Sequence, residues 1–244
     1  MSTSKQARVG VWDLPTRLFH WLLATLILCA WISFEYNETF GDSELVWHRY
    51  NGYAILVLVL WRLLWGVVGS PASRFANFLY WPWQALRYGV DLLRWREHHY
   101  LGHNPLGSYM IVALLALVAT QGIFGLLATE HNSVTWGPLA LLLSDETSLW
   151  FAKMHGWLFE DVLLIFIVLH IAANVLYRVV KKDQLIEAMV IGTKPVATYA
   201  DQDVATTDAA ADRRGTMVRA LICLVLAMAI FAGAIIGLGG KLFY

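Results

Sequence analysis

Four of the chain's eight histidines lie in or at the edge of long apolar stretches, where polar side chains are costly and usually functional. Two of them, His155 and His170, belong to the same stretch. Fifteen residues of α-helix separate these two by about 22 Å along the helix axis, and by four turns plus about 60° around it. Both side chains are therefore predicted to face the interior of a helix bundle, at two different depths.

The other two, His20 and His48, lie near the start of two separate apolar stretches. Successive membrane helices run in alternating directions. His20 therefore enters from the N-terminal side, here side A, and His48 enters from the opposite side, here side B. The helix with His155 and His170 runs from side B to side A. We expect His48 to share a depth with His155, and His20 to share one with His170.

Two histidine pairs at two depths suit a particular kind of metal centre. Neutral imidazole is a common metal ligand, and haem iron accepts two axial ligands from facing helices. The pairs therefore predict two stacked b-type haems, whereas the absence of a CxxCH motif excludes covalent c-type attachment. Three alternatives stay open: purely structural histidines, a carboxylate–histidine metal site, and His131 in place of His48 as the side-B ligand.

Three residues near these histidines suit the same site. Gly52 follows His48 by one helical turn and leaves room for a flat macrocycle beside the helix. Arg62 lies fourteen residues after His48, and Arg17 lies three residues before His20. Both arginines are candidate partners of haem propionates. Anchoring of cations on the cytoplasmic side explains the two arginines equally well.

Other residues near the predicted ligands have two interpretations. Gly122 and Gly125 give a haem edge space or, more simply, allow close packing of helices. Glu160 and Asp161 are adjacent acids within an apolar stretch, which makes them candidates either for proton transfer to a quinone or for structural pairing.

The composition shows which elements must position these side chains. Of the 244 residues, 58% are apolar and only 15% are charged, against about 25% charged in soluble domains. Such a chain is predicted to be an integral membrane protein. Its formal net charge of zero gives no reason to expect a nucleic-acid partner. The two cysteines both lie in apolar stretches and predict neither a disulfide framework nor a cysteine metal site.

Five apolar stretches have the roughly 20 residues that a membrane-spanning helix needs. The first is too rich in tryptophan for a signal peptide, and Asp13 and Pro15 are typical of a helix start. The predicted spans are Leu18–Phe34, Val46–Val68, Leu106–Ala128, Leu149–Leu176 and Met217–Leu238.

The distribution of cations predicts the orientation of these spans. Fifteen of the 18 lysines and arginines fall on side A, and only Arg49, Lys153 and Lys241 fall on side B. The positive-inside rule therefore makes side A cytoplasmic, while the side-B loops are acidic. We expect a multi-pass protein of the bacterial inner membrane, with its N-terminus in the cytoplasm and its C-terminus in the periplasm.

Two connections carry further expectations. Residues 75–100 mix aromatic side chains with arginines, which predicts an amphipathic helix in the cytoplasmic interface. Within it, Trp83 and Gln84 are a candidate quinone site. The histidines of this region, His98, His99 and His103, are expected to face lipid headgroups. Residues 183–215 are predicted to be a cytoplasmic linker of low structural content. The predicted fold is all-α: a four-helix di-haem core over residues 1–182, with an appended fifth transmembrane helix over residues 216–244.

Several of these motifs occur together in one known family. The stretch Trp12–Trp21 (WDLPTRLFHW), the segment His48–Gly52 followed by Trp61 and Arg62, and the helix with His155 and His170 resemble the bacterial cytochrome b561 and nickel–iron hydrogenase cytochrome b family. The similarity covers roughly Val9 to Lys182. It implies a four-helix core with two b haems that passes electrons between quinone and a partner. The family's ligand positions fall on His20, His48, His155 and His170 of this sequence.

Three functions are compatible with these features. The first is electron transfer between a periplasmic partner, a c-type cytochrome or a hydrogenase-like protein, and membrane quinone. The second is a stand-alone superoxide:ubiquinone oxidoreductase of the cytochrome b561 type, which would need cations such as Arg49 and Lys153 on side B. The third is a transporter or assembly factor without haem, in which the histidines are structural. Lipid and quinone are expected contacts of the first two.

Overall fold

The structure is a computed structural model that describes residues 7–42, 45–96, 98–129, 137–206 and 213–242. In chain order its elements are β1 (Arg8–Gly10), α1 (Leu14–Glu35), α2 (Val46–Val68), α3 (Phe75–Phe78), α4 (Pro82–Leu93), α5 (Pro105–Leu127), α6 (Asp145–Trp157), α7 (Leu164–Leu176), α8 (Leu185–Ile191), β2 (Thr193–Pro195), α9 (Gln202–Ala205) and α10 (Arg213–Gly237). π-Helical segments follow α6 (Leu158–Leu163) and α7 (Tyr177–Lys181), and short 3₁₀ turns lie at Pro71–Ser73 and Ala140–Leu142.

Five helices within the described ranges are long and apolar enough to cross a membrane. They are α1, α2, α5, the continuous helix Asp145–Lys181 and α10. The five spans predicted from the sequence are therefore confirmed. The fourth helix contains 37 residues, far more than the roughly 20 that the hydrocarbon core requires.

A side-chain cap begins α1 where the sequence predicts it, and a second cap, which the sequence analysis did not predict, begins α2. Asp13 accepts a hydrogen bond from the backbone N–H of Thr16 at 2.7 Å, which confirms it as the cap of α1. Asp42 accepts from the N–H groups of Val46 and Trp47, both at 2.9 Å, at the start of α2. These caps satisfy amide groups that the first helical turn leaves without a partner. The caps determine where α1 and α2 begin, and hence how far along each helix His20 and His48 lie.

The chain divides into two compact units, each built from three segments. The first unit comprises Met1–Leu18, Leu64–Ala113 and Val168–Leu221, and the second comprises Phe19–Leu63, Leu114–Ile167 and Ile222–Tyr244.

In the second unit, four of the membrane helices pack around one apolar cluster. Its buried members are Ile55 and Val59 of α2, Val118 of α5 and Leu163 of the fourth helix, with Leu23, Leu26 and Ile27 of α1 packed against them. Helix α10 packs elsewhere, through Phe231 and Ile235 in a cluster with Leu56 and Leu139. The fifth helix therefore meets α2 through a cluster separate from the one that joins the other four.

The first unit contains a small folded region that the sequence did not predict. Strands β1 and β2 pair antiparallel, with Arg8 opposite Pro195 and Gly10 opposite Thr193. Six buried apolar residues from five places in the chain form a cluster against which Val9 of β1 packs: Val11, Trp12, Ala72, Leu101, Ala188 and Ala205. The expectation of a linker of low structural content is therefore wrong for residues 183–206. The polar composition of residues 183–206 suggested a linker. These residues fold because their few apolar side chains, such as Ala188 and Ala205, pack against distant parts of the chain.

The predicted amphipathic segment forms two short helices rather than one. Residues 75–100 contain α3, a non-helical link and α4, because Pro82 disfavours helical backbone at the preceding residue. In α4, Ala85 and Tyr88 are buried, whereas Leu86 and Leu93 are largely exposed. The helix is therefore amphipathic, and its place in the membrane interface stays a prediction.

The fourth helix departs from regular α geometry between His155 and His170. The π-helical segment Leu158–Leu163 bonds each residue to the fifth one along rather than the fourth. The predicted angle of about 60° around the axis between His155 and His170 assumed a straight α-helix. That assumption is wrong for the π-helical part of the interval. Short π segments are frequent at functional sites, and this one begins three residues after His155.

Candidate functional site

The second unit brings His48 and His155 together, as the predicted pairing requires. The centres of the two imidazole rings lie 6.0 Å apart, and the ring planes are inclined at 85°. His48 is in the first turn of α2 and His155 is near the end of α6. The imidazoles of His48 and His155 are thus close together although these residues are 107 positions apart in the sequence.

Each of these rings is held by a backbone carbonyl of another helix. Nδ1 of His48 lies 2.8 Å from the carbonyl oxygen of Ala30 in α1, and Nδ1 of His155 lies 2.9 Å from that of Gln121 in α5. Because a carbonyl oxygen only accepts hydrogen bonds, these contacts assign the proton to Nδ1 in both rings. Nε2 then carries the lone pair that binds a metal, in the arrangement typical of metal-ligating histidines.

The distance between the two rings fits a single metal between them. Metal–imidazole bonds of about 2.0 Å, with each ring centre about 1.2 Å behind its nitrogen, place two opposite imidazole centres about 6 Å apart. Among the described residues, no group of three or more His, Cys, Asp or Glu side chains could hold a bare metal ion. Two imidazoles suit a metal that brings its other ligands with it, as haem iron does.

Two glycines leave open space close to this pair. A Cβ atom added at Gly52, one turn after His48, or at Gly156, next to His155, would meet none of the described residues within 4 Å. Within that part of the chain, the backbone of α2 and of α6 is unobstructed at these two glycines. The role of Gly52 beside a macrocycle stays a prediction.

The two glycines of α5 have different surroundings. A Cβ at Gly122 would lie 2.5 Å from Cδ2 of Leu56, so this glycine allows close packing of α5 on α2. A Cβ at Gly125 would instead lie 3.0 Å from Cε1 of His155. A side chain at position 125 would therefore meet the ring of a predicted ligand, whereas the sequence favoured a packing role for both glycines.

The two arginines predicted to meet propionates lie in different surroundings. Arg62 is only 4% exposed inside α2, where a buried cation requires a polar or anionic partner. Arg17 donates from Nη1 to the carbonyl oxygen of Val190, and its buried Nε has no hydrogen-bond partner among the residues that the structure describes. One donor of Arg17 thus holds the chain near the end of α8, and its predicted contact with a propionate stays a prediction.

His20 and His170 belong to different units, and their pairing stays a prediction. The ring of His20 meets that of Trp21 edge-on, with centres 5.0 Å apart. Asn174 donates to the carbonyl oxygen of His170 at 2.7 Å, and its amide nitrogen lies 3.5 Å from Nε2 of that ring. The longer contact is at the outer limit of hydrogen bonding.

The remaining candidates have mixed outcomes. Glu160 and Asp161 lie in the π-helical segment and are both exposed, so their predicted roles stay open. Gln84 has a structural role, since its side chain accepts a hydrogen bond from the N–H of Trp81 at 2.8 Å, at the start of α4. His131, the rival side-B ligand, lies outside the described residues.

One expectation about the side-A histidines is wrong. His103 was expected to face lipid headgroups, but its ring lies 4.6 Å from those of both Trp12 and Phe78. It is part of the packed region of the first unit.

The comparison with known proteins agrees with these features. The family model described as "Prokaryotic cytochrome b561" matches residues 11–192 of the chain. The "Probable Ni/Fe-hydrogenase B-type cytochrome subunit" of Azotobacter vinelandii is 24% identical over 225 residues, which cover 77% of this chain and 89% of that protein. The protein of the same name from Bradyrhizobium diazoefficiens is 25% identical, with 76% and 85% covered. No solved structure gives a significant match.

Proposed function

The chain belongs to the prokaryotic cytochrome b561 family, and we propose that it carries electrons between a redox partner on side B and quinone in the membrane. It is a multi-pass membrane protein and a b-type cytochrome, the class that binds haem b. In this proposal it holds two haems b in the bacterial inner membrane. Its N-terminus lies in the cytoplasm and its C-terminus in the periplasm.

The pair of His48 and His155 is the observation that carries the proposal. Their 6.0 Å separation suits two axial imidazoles on one iron, and the Ala30 and Gln121 carbonyls keep Nε2 of each ring unprotonated. The haem, when bound, supplies the one-electron chemistry. The chain's residues hold and orient the ligands and keep the site within the apolar part of α2, α5 and the fourth helix.

A second haem towards side A is proposed for His20 and His170. His170 lies fifteen residues after His155 on the same helix, which gives the two sites different depths. Arg17 lies three residues before His20, and its buried Nε, which has no partner within the described part of the chain, supports a propionate or another anion nearby. Buried Arg62 is proposed to face the same propionates.

The redox partner is proposed to be a hydrogenase-like protein on side B. The names of the relatives support this choice, because each is described as a Ni/Fe-hydrogenase cytochrome subunit. On the predicted side B, Glu35 and Glu38 are exposed and cations are few, which favours a partner with a basic surface through electrostatic steering. A periplasmic c-type cytochrome with such a surface is the other candidate of this class.

Quinone is proposed to react near side A, next to α4. The exposed Trp83, Leu86 and Leu93 give this helix an apolar face suited to the membrane interface. Arg87 and Arg94 lie on the same short helix or at its end and suit anionic lipid headgroups. In this proposal Trp83 lies beside the quinone, whereas the side chain of Gln84 caps the start of α4.

Counting the haems tests the proposal. A pyridine haemochrome assay on the purified chain should give two haems b. His48→Ala and His155→Ala should each remove the side-B haem, so that half of the total haem remains. Replacing His20 or His170 should remove the other. His99→Ala, at an exposed histidine, is the matched control and should keep both. One haem or none in the wild-type chain would overturn the proposal.

The stand-alone superoxide:ubiquinone oxidoreductase gains no additional support from these findings. Such an enzyme needs cations that attract superoxide on side B, where only Arg49, Lys153 and Lys241 are placed by the predicted topology. Quinone reduction by the purified chain distinguishes the two. Our proposal expects fast reduction only when a reduced partner protein is added, and reduction driven by superoxide alone would favour the enzyme.

A further inference from the structure

We infer that α5, which carries none of the predicted ligands, orients His155 through Gly125 and the carbonyl of Gln121, and so holds the two side-B imidazoles nearly perpendicular. The inference rests on the proposed haem between His48 and His155. It adds positioning residues on a helix that contains no histidine.

The ring of His155 contacts α5 at two adjacent points. Its Nδ1 donates to the Gln121 carbonyl at 2.9 Å, and its Cε1 lies 3.0 Å from where a Cβ of Gly125 would be. Residues four apart lie on one face of an α-helix, so both contacts come from a single surface. In a helix, the Gln121 carbonyl also accepts from the N–H of Gly125, and its second lone pair serves His155.

Glycine at position 125 allows the ring to lie against the helix backbone. A Cβ there would be 3.4 Å from Nδ1 and 3.8 Å from Nε2, as well as 3.0 Å from Cε1. Any side chain would therefore push on the ring edge that joins the two nitrogens. The ring would tilt about its hydrogen bond to Gln121, and the direction of the Nε2 lone pair would change with it.

The opposite ring is held in the same way from another helix. His48 donates from Nδ1 to the carbonyl of Ala30 in α1, at 2.8 Å. When both Nε2 atoms bind one iron, both ring planes contain the same bond axis. The 85° between the planes is then the rotation of one ligand relative to the other. An axial imidazole otherwise rotates easily about its bond to the metal, and these carbonyls remove that freedom.

The angle between axial imidazoles has a spectroscopic signature. Perpendicular planes give a ferric low-spin haem a strongly anisotropic EPR signal with one very large g-value, whereas parallel planes give an ordinary rhombic signal. Ligand orientation is one of the means by which a protein tunes a haem. The geometry around His155 therefore predicts a strongly anisotropic signal for the side-B haem.

The test is EPR of the oxidised, purified full-length chain carrying Gly125→Ala. Gly125→Val, with a larger side chain, gives a graded comparison. Gly233→Ala is the matched control, because a Cβ at Gly233 in α10 would meet no described residue within 4 Å. We expect the largest g-value of the side-B signal to fall in Gly125→Ala and further in Gly125→Val. The wild type and Gly233→Ala should share one spectrum.

Haem content separates this inference from the proposed function. Gly125→Ala should keep two haems by the haemochrome assay, and its unchanged side-A signal shows that the chain is folded. A rhombic side-B signal in the wild type, or a Gly125→Ala spectrum identical to it, would overturn the inference while leaving the haems in place. A wild-type chain without the side-B haem would instead overturn the proposed function.

Discussion

Nδ1 of His155 donates a hydrogen bond to the carbonyl oxygen of Gln121 at 2.9 Å, so a predicted ligand of the fourth helix is oriented by α5. The contact leaves Nε2 as the ring atom available to a metal. It also gives α5 a role in the site although that helix has no histidine.

Added imidazole should restore the haem of a His155→Gly variant. The substitution is expected to remove half of the haem, but the Gln121 carbonyl and Gly125 still form a surface that accepts an imidazole ring. Haem content is measured with and without imidazole during purification. Pyrrole, a ring of similar size without the basic nitrogen, should give no recovery. Equal recovery with both compounds would show that the ring acts only by filling space.

Loss of the Asp13 carboxylate should destabilise the start of α1. Asp13 is 6% exposed and accepts hydrogen bonds from the N–H of Thr16 and from the hydroxyls of Ser70 and Ser73. Asp13→Ala leaves buried donors without their acceptor and should cost about 2 kcal/mol of unfolding free energy. Thermal unfolding in detergent measures the loss. Asp203→Ala, at an exposed acid, should change stability by less than about 0.5 kcal/mol. Equal losses would contradict a capping role.

Lys194 should be a major anchor of β2. It is 1% exposed, lies 3.0 Å from Asp183 and donates to the Tyr100 carbonyl at 2.9 Å. Removing one partner of a buried ion pair typically costs about 3–5 kcal/mol, because the other charge stays buried. Since Asp183 is partly accessible, we expect Lys194→Met to fall at the lower end of that range. The double variant Lys194→Met with Asp183→Leu should recover part of the loss in thermal unfolding. A double variant no more stable than Lys194→Met would argue against the pair.

Stability of the first unit should fall in alkaline solution. Burial, and then the nearby Asp201 carboxylate, raise the pKa of Tyr80 and of Tyr100 above the usual value of 10.0. The neutral tyrosines are favoured in the folded chain, so their contribution is complete below pH 10.0. It is lost as the pH rises towards the folded pKa.

Unfolding measured across this alkaline range checks the tyrosine effect. A variant with Tyr80→Phe and Tyr100→Phe should lose less stability between neutral and alkaline pH than the wild type. The exposed Tyr36, replaced by phenylalanine, provides a matched control and should behave as the wild type does. Identical pH profiles for all three proteins would exclude these two tyrosines as the cause.

The sequence by itself determined the membrane spans and the residue types of the site. Apolar stretches of sufficient length predict helices wherever they occur, so all five spans were identified, together with Asp13 as a cap. Alternation of the spans across the membrane also predicted that His48 and His155 would meet. These properties follow from local composition and from chain order, which are readable without knowing any contact.

Only the tertiary structure decided how the imidazoles are held. The carbonyls of Ala30 and Gln121 are backbone groups, which every residue has, and their aim depends on how α1 and α5 pack. The role of Gly125 against His155, the π-helical segment and the folding of residues 183–206 were decided in the same way. Each depends on contacts between segments far apart in the chain, and a local pattern of residue types does not encode the relative placement of such segments.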